Sequence, residues 1–307
     1  MSTIMRESVS AAILRQLARQ ERRVFAGWRA LILLRRATFE LPDAGRRWRQ
    51  LPREWSDIQP VVRQMERREE IEPIENLPGV YQVVVPYARS WFVQEDEILM
   101  EVHPYCAVTH LSALVFHGLT DQFPNALHAM APADGRGGLL PADTHASDWE
   151  GIELPRGRRA ERIMNHPVQW RRWRPERVFG LQEYRPRGYP VRVTTPERTL
   201  LDGLLEPSAC GGIENVLLAW GRAASTLDVD DLVSMVDRFG VNVLRQRAGF
   251  IMDHMGLAHP GLKAWRGQTQ RGGTSKMVAA DPYSPHYDET WSISLNAPIN
   301  VLRDPFG

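Results

Sequence analysis

The side chains best suited to recognising another molecule lie between Ser56 and Arg67, in the run S-D-I-Q-P-V-V-R-Q-M-E-R. Ile58, Val61, Val62 and Met65 recur at i, i+3, i+4 and i+7, which predicts a helix with that stripe on a core and Ser56 as its cap. The opposite face then carries Ser56, Arg63 and Arg67, flanked by Gln59 and Gln64. Arginine and glutamine offer two-pronged contacts to guanine and adenine edges in the major groove, so this face has the chemistry of duplex readout. The competing reading is a solvated face, because Glu66, Glu69 and Glu70 would repel phosphate.

A second concentration of charge runs from Arg156 to Arg192, with eleven arginines against Glu161, Glu176 and Glu183. Within it Arg156, Arg158, Arg159, Arg171, Arg172 and Arg174, interleaved with Trp170 and Trp173, offer a nucleic-acid surface or a docking face for a partner. The alternative is a sheet whose outer face is charged and whose tryptophans are core. Residues 1–53 are also basic, with twelve arginines against Glu7, Glu21, Glu40 and Asp43. Both blocks stand out against a net charge of +1, although the near absence of lysine, Lys263 and Lys276 alone, reads as compositional bias.

Other constellations are poorer in chemistry. His103, His110 and His117 recur every seven residues, two helical turns, whereas a helical zinc pair needs ligands one turn apart. They are expected to be core or cap residues. Asp228, Asp230 and Asp231 suit an N-cap and first helical turn. The Gly-rich loop Asp134–Gly138 lacks the G-K-[ST] ending of a phosphate loop, no G-x-S-x-G or activated cysteine motif is present, and neither lysine follows a carboxylate cluster. No metal, no cofactor and no enzymatic activity are therefore expected.

The elements that must carry these residues follow from periodicity. Residues 8–20 place Ile13, Leu14 and Leu17 on one face, and a second helix is predicted from about Phe25 to Arg36, both with basic outer faces. After the helix at 56–67, two β-rich runs over residues 70–85 flank Asn76, Pro78 and Gly79, a hairpin signal. Three helices and a hairpin make the order of a winged helix-turn-helix. Glu95–Val102 reads as a connecting element, placing a domain boundary near residue 100. Beyond it, a helix over Pro104–Gly118, strands near 127–130, 169–174, 178–184 and 191–194, three or four helices from Pro196 to Met255, and strands near 276–279 and 291–295 predict an α+β domain.

Two of these segments carry a family resemblance. S-A-L-V-F-H-G-L, ending at Leu119, has Leu111, Leu114 and Val115 as its buried stripe and Gly118 as its left-handed stop. T-P-E-R-T-L-L-D, from Thr195 to Asp202, has Thr195 as cap, Pro196 in the first turn, and Leu200, Leu201, Leu204 and Leu205 on one face, with Arg198 and Asp202 pairing on an exposed one. With G-G-I-E-N-V-L-L at 211–218, they resemble the AbiEi family of antitoxins from type IV toxin-antitoxin systems. The resemblance implies a winged helix-turn-helix domain over 1–100 and an AbiEi-like α+β antitoxin domain over 101–307. It implies a protein that binds double-stranded DNA at its own promoter, represses its operon and counters a nucleotidyltransferase toxin in phage defence, without needing a stable complex with that toxin. The arginine-rich start and the loop from Ala133 to Gly151 depart from the simplest family pattern. A transcription regulator without a toxin, or a nuclease guided by the winged domain, are the alternatives.

The remaining sequence sets the setting. At 307 residues, 43% hydrophobic and 24% charged, the chain reads as two globular domains. Ala30–Leu34 is too short to span a bilayer, no secretory leader is apparent, and Cys106 and Cys210 suit a reducing cytoplasm.

Overall fold

The computed structural model describes residues 6–84, 92–269 and 274–302. The fold is mixed α+β. It divides into two compact units, the first built from Met1–Ala107, Met130–Glu176 and Glu183–Arg192, the second from Val108–Ala129, Arg177–Gln182 and Val193–Gly307. The boundary expected near residue 100 falls inside the first unit's opening segment.

That segment runs α1 (Val9–Arg19), β1 (Val24–Ala26), α2 (Gly27–Glu40), α3 (Trp55–Arg67), β2 (Ile71–Pro73), β3 (Val80–Val83) and α4 (Glu95–Val102). Ser8 caps α1 by accepting from the Ala11 amide, and Ile13 and Leu17 enter a core with Phe25, Leu33, Ile58, Val62 and Met65. The strands form an antiparallel sheet in the order β1-β3-β2. Val24 pairs with Gln82 and Phe25 with Tyr81, while Ile71 pairs with Val83. The second predicted helix therefore begins later than expected, because Phe25 and Ala26 are strand. Val85, the last residue of the hairpin run, lies outside the described residues.

The expected connecting element at 95–102 is the buried helix α4, and it changes the meaning of the amino-terminal arginines. Glu97 and Glu101, one turn apart, reach the outer edge of β1. Glu97 Oε1 accepts from the amides of Arg23 and Val24 at 3.0 and 3.3 Å, and Glu101 Oε2 accepts from the Ala26 amide at 3.0 Å. An edge strand's unpaired N–H groups are satisfied here by carboxylates. The opposite oxygen of Glu101 accepts from Arg29 Nε at 3.0 Å and Arg22 Nη1 at 3.2 Å. Arg22 also meets Asp143 at 2.5 Å, and Arg29 donates to the Ala142 carbonyl at 2.7 Å. Arg35 is likewise buried, donating to the Pro52 and Glu150 carbonyls, and Arg36 pairs with Asp148. The basic outer face expected of the second helix is thus corrected, since Arg29 and Arg35 are internal ties, as are Arg22 and Arg23 between the helices, whereas Arg19 of α1 stays exposed.

His103, the C-cap residue of α4, is also buried, with its ring 5.4 Å from that of Trp170 and edge-on to Tyr105. Burial pushes its imidazole down to about 4, and Arg159 adds to the shift. The unfolded chain takes up this proton near 6.5, the folded one only near 4, so the contribution to stability is full above 6.5 and declines as pH falls between them. The loss should total about 3 kcal/mol. Urea unfolding at pH 7 and pH 4.5 should show His103→Phe losing this part of the pH dependence, and an identical dependence in variant and wild type would refute it.

The chain continues through β4 (Ala107–Val108), α5 (His110–Phe116), β5 (Leu127–Pro132), β6 (Arg162–Ile163), β7 (His166–Trp173), β8 (Leu181–Tyr184) and β9 (Val191–Thr194). In the first unit β6 and β7 form an antiparallel pair with Arg162 opposite Pro167. In the second, Val108 of β4 lies opposite Val193 of β9 in a parallel pair. Helices α6 (Pro196–Leu205), α7 (Ile213–Ala223), α8 (Val229–Phe239), α9 (Asn242–His254) and α10 (Gly261–Thr269) follow, then β10 (Ser275–Lys276), β11 (Tyr287–Asp288) and β12 (Ile293–Ser294). The core of this unit gathers Leu200, Leu201 and Leu204 with Trp220, Val236, Ile251 and Trp291.

Local signals in this unit are obeyed at caps and less so at faces. Thr195 caps α6 by accepting from the Arg198 amide with Pro196 in the first turn, and Asp228 caps α8 by accepting from the Asp231 amide. Gly118 takes the left-handed conformation at φ 66° after α5. That helix starts only at His110, however, because Ala107 and Val108 are strand, and Val115 is 37% exposed rather than part of the buried stripe. Cys106 precedes β4 and Cys210 ends a one-turn 3-10 segment, both buried and neither in a disulfide. Arg198 and Asp202 are buried, not exposed, and Glu197 is buried too, its Oε1 accepting from the Asp228 amide at 3.1 Å. Arg198 and Asp202 do pair, within α6 itself at 3.0 Å, and the segment turns inward because its remaining partners, the Arg177 and Phe179 carbonyls and the Asp228 amide, lie outside the helix.

Candidate nucleic-acid interface

Helix α3 is anchored by its inner face and its first turn. Ile58, Val62 and Met65 are buried and Val61 is partly so. The expected cap at Ser56 is corrected: the N-cap residue is Glu54, and Asp57 Oδ2 accepts from the amides of Arg53 and Glu54 at 2.7 and 3.2 Å. A carboxylate is the stronger acceptor for these N–H groups and complements the positive end of the helix. Ser56 becomes an exposed residue of the first turn. Pro60, inside the helix, supplies no N–H to the Ser56 carbonyl.

Ser56, Arg63, Gln64 and Arg67 are exposed and Gln59 is half-buried. Ser56, Arg63 and Arg67 follow one stripe at helical spacing, with Arg67 Nε 3.3 Å from the Arg63 carbonyl. The β2–β3 hairpin follows directly. Its tip is built by Asn76 and Gly79, both at positive φ, and by the buried Leu77, while Glu72 and Glu75 are exposed. Phosphate contacts from this hairpin would have to come from Asn76 or backbone N–H groups. Exposed positive charge beside α3 comes from Arg53 and from Arg68, which is ion-paired with Glu70 at 4.0 Å.

The second arginine group is split by the structure. Arg171 and Arg172 lie on β7 and Arg174 just after it, with Arg172 and Arg174 exposed and Arg171 half-buried. Arg158 and Arg159 lie on the extended segment before β6, whose Ala160 carbonyl accepts from Trp170 Nε1 at 2.7 Å. Trp170 and Trp173 are half-buried, so they serve the packing of β7 more than an outer face. Arg156 lies apart, on the wall of a cleft with Arg53 and Arg136.

The histidines do not converge. His103 caps α4, His110 opens α5 with Nδ1 3.0 Å from Thr109 Oγ1, and His117 caps α5 with Nε2 2.7 Å from the Thr194 carbonyl. Among the described residues no group of three or more His, Cys, Asp or Glu could hold a metal ion, and no helix is long and apolar enough to cross a membrane. Sequence patterning missed Arg53, Arg136 and the three tryptophans of the cleft, Trp28, Trp55 and Trp149, which come from separate segments with no shared period.

No family model matches the chain, and no curated protein matches it significantly. Among solved structures it is similar to the RV2827C protein from Mycobacterium tuberculosis, at 13% identity and a TM-score of 0.47 over 98% of this chain and 96% of that one. A likeness of that size carries no functional argument.

Proposed function

We propose that the chain is a DNA-binding antitoxin that represses its own operon and counters a nucleotidyltransferase toxin in the cytoplasm, with no catalytic step and no cofactor of its own. The observation that carries the DNA-binding half is the exposed Ser56, Arg63, Gln64 and Arg67 face of α3, followed at once by an antiparallel hairpin. The succession α1-β1-α2-α3-β2-β3 is the order of a winged helix-turn-helix, in which such a helix enters the major groove. The antitoxin half rests on the AbiEi resemblance, and the exposed Arg158, Arg159, Arg172 and Arg174 are its candidate surface.

Full-length protein is expected to prefer its own upstream DNA to random duplex in fluorescence anisotropy. With about six phosphate contacts, log affinity should fall against log salt with a slope of about −5. Arg63→Ala or Arg67→Ala should cost about 1–3 kcal/mol and relax preference at one base position. Equal affinity for promoter and random duplex at moderate salt would remove the repressor reading. Wild-type binding by both variants would remove α3 as the reading helix.

Co-expression with the nucleotidyltransferase encoded beside this gene tests the antitoxin half. The first unit draws on three chain segments, so the assay uses the whole chain. Arg172→Glu with Arg174→Glu should lose rescue while keeping promoter binding. Unimpaired rescue would return these arginines to a solvated strand edge, and failure of the wild type to rescue would leave a transcription regulator without a toxin.

A further inference from the structure

The first unit contains a cleft of about 1150 Å³ beside the start of α3, and its composition is that of a ligand site. Trp28, Trp55 and Trp149 line it. The rings of Trp28 and Trp149 stand 6.1 Å apart at 34°, and their indole N–H groups are already committed, to the Glu101 carbonyl and to Thr144 Oγ1, both at 2.9 Å. Both indoles are therefore held in place with their hydrogen-bonding edges satisfied internally. Trp55, the first residue of α3, packs its ring on Gly27, where an added Cβ would lie 2.7 Å from the ring. Only glycine permits that approach, so the third indole is held in place as well.

The same lining supplies charge. Arg53, Arg136 and Arg156 line the cleft from three separate segments and are exposed. Among the described residues neither Arg53 nor Arg156 makes a side-chain ion pair, and Arg136 donates to the Leu154 carbonyl at 3.3 Å. Asp57, also on the wall, is occupied by the amides of Arg53 and Glu54. Glu153, and Glu54, whose carboxylate also accepts from the Asp57 amide, face the same space.

Aromatic platforms, unpaired guanidinium groups and carboxylate acceptors match the three parts of one ligand class. We infer that this cleft binds a nucleoside phosphate, its base stacked on the indoles, its sugar hydroxyls donating to Glu54 or Glu153, and its phosphate held by Arg53, Arg136 and Arg156. Indoles favour offset or edge contacts with planar rings, and arginine holds phosphate through paired N–H bonds. The site stands whether or not the chain binds duplex DNA.

Calorimetry and tryptophan fluorescence on the full chain test it, with AMP, GMP, adenosine, guanosine and inorganic phosphate as probes. AMP or GMP should quench fluorescence saturably and bind at least tenfold tighter than its nucleoside and than inorganic phosphate. Arg53→Ala with Arg156→Ala, both at exposed positions, should weaken nucleotide binding at least tenfold, and Trp55→Leu should remove most of the quenching. The absence of saturable binding by either nucleotide at millimolar concentration would overturn the assignment. So would inorganic phosphate binding as tightly as the nucleotides, or nucleotide binding unchanged in the arginine variant, whose fold circular dichroism would verify.

Discussion

Replacing Glu101 by leucine is expected to destabilise the first unit by about 3–5 kcal/mol, because it leaves buried positive charge without its counter-charge. Arg29 is fully buried and Arg22 nearly so, and both donate to Glu101 Oε1. Burial already pulls the Arg29 guanidinium down to about 10, with the neighbouring Arg22 adding to that and Glu101 and Asp143 opposing it. Removing the carboxylate also strips the Ala26 amide of its acceptor, so the edge of β1 loses a bond that water cannot easily replace. Urea unfolding followed by tryptophan fluorescence should show the lowered midpoint. An unchanged midpoint would mean that solvent reaches this cluster. Asp143 adds a pH dependence: burial acts to raise its carboxyl pKa, but Arg22 and Arg29 outweigh burial and hold it below the ordinary value. Its contribution is therefore present above the unfolded value of about 3.9 and is lost as pH falls through the lower folded value.

Asp202→Leu is expected to cost the second unit a similar amount, about 3–5 kcal/mol, by orphaning Arg198. Arg198 Nε donates to Asp202 Oδ1 at 3.0 Å, and Nη1 donates to the carbonyls of Arg177 and Phe179, both at 2.9 Å. The guanidinium lies 4.4 and 4.5 Å from the ring centroids of Phe179 and Phe239, so a cation is packed between aromatic faces. Burial lowers its pKa while Asp202 works the other way, which is why loss of the carboxylate exposes the full cost of a desolvated charge. Thermal unfolding of the full chain measures this, and Arg198→Met combined with Asp202→Leu should recover most of the loss. If the double variant is as unstable as Asp202→Leu alone, the pairing is not the source of the effect.

What the sequence determined by itself is local. Ser8, Thr195 and Asp228 cap helices because a short oxygen-bearing side chain before an apolar period answers free amides a few residues away. Ile58, Val62 and Met65 define the inner face of α3, and therefore which arginines and glutamines point outward, because helical geometry alone relates them. The cap of α3 was misread for the same local reason: Asp57, not Ser56, was the better acceptor within reach. Only the tertiary structure decided which charges are surface and which are skeleton. Arg29 and Arg198 read as solvated in sequence, and each is buried because carboxylates or carbonyls converge on it. For Arg29 those partners, Glu101 and the Ala142 carbonyl, are 72 and 113 residues away. The three-residue strand β1 was illegible for the same reason, since its edge is completed by Glu97 and Glu101 rather than by any period of its own. A charge can be buried only where carboxylates or carbonyls are held to receive it, and for Arg22 and Arg29 that condition belongs to the folded chain, not to any window along it.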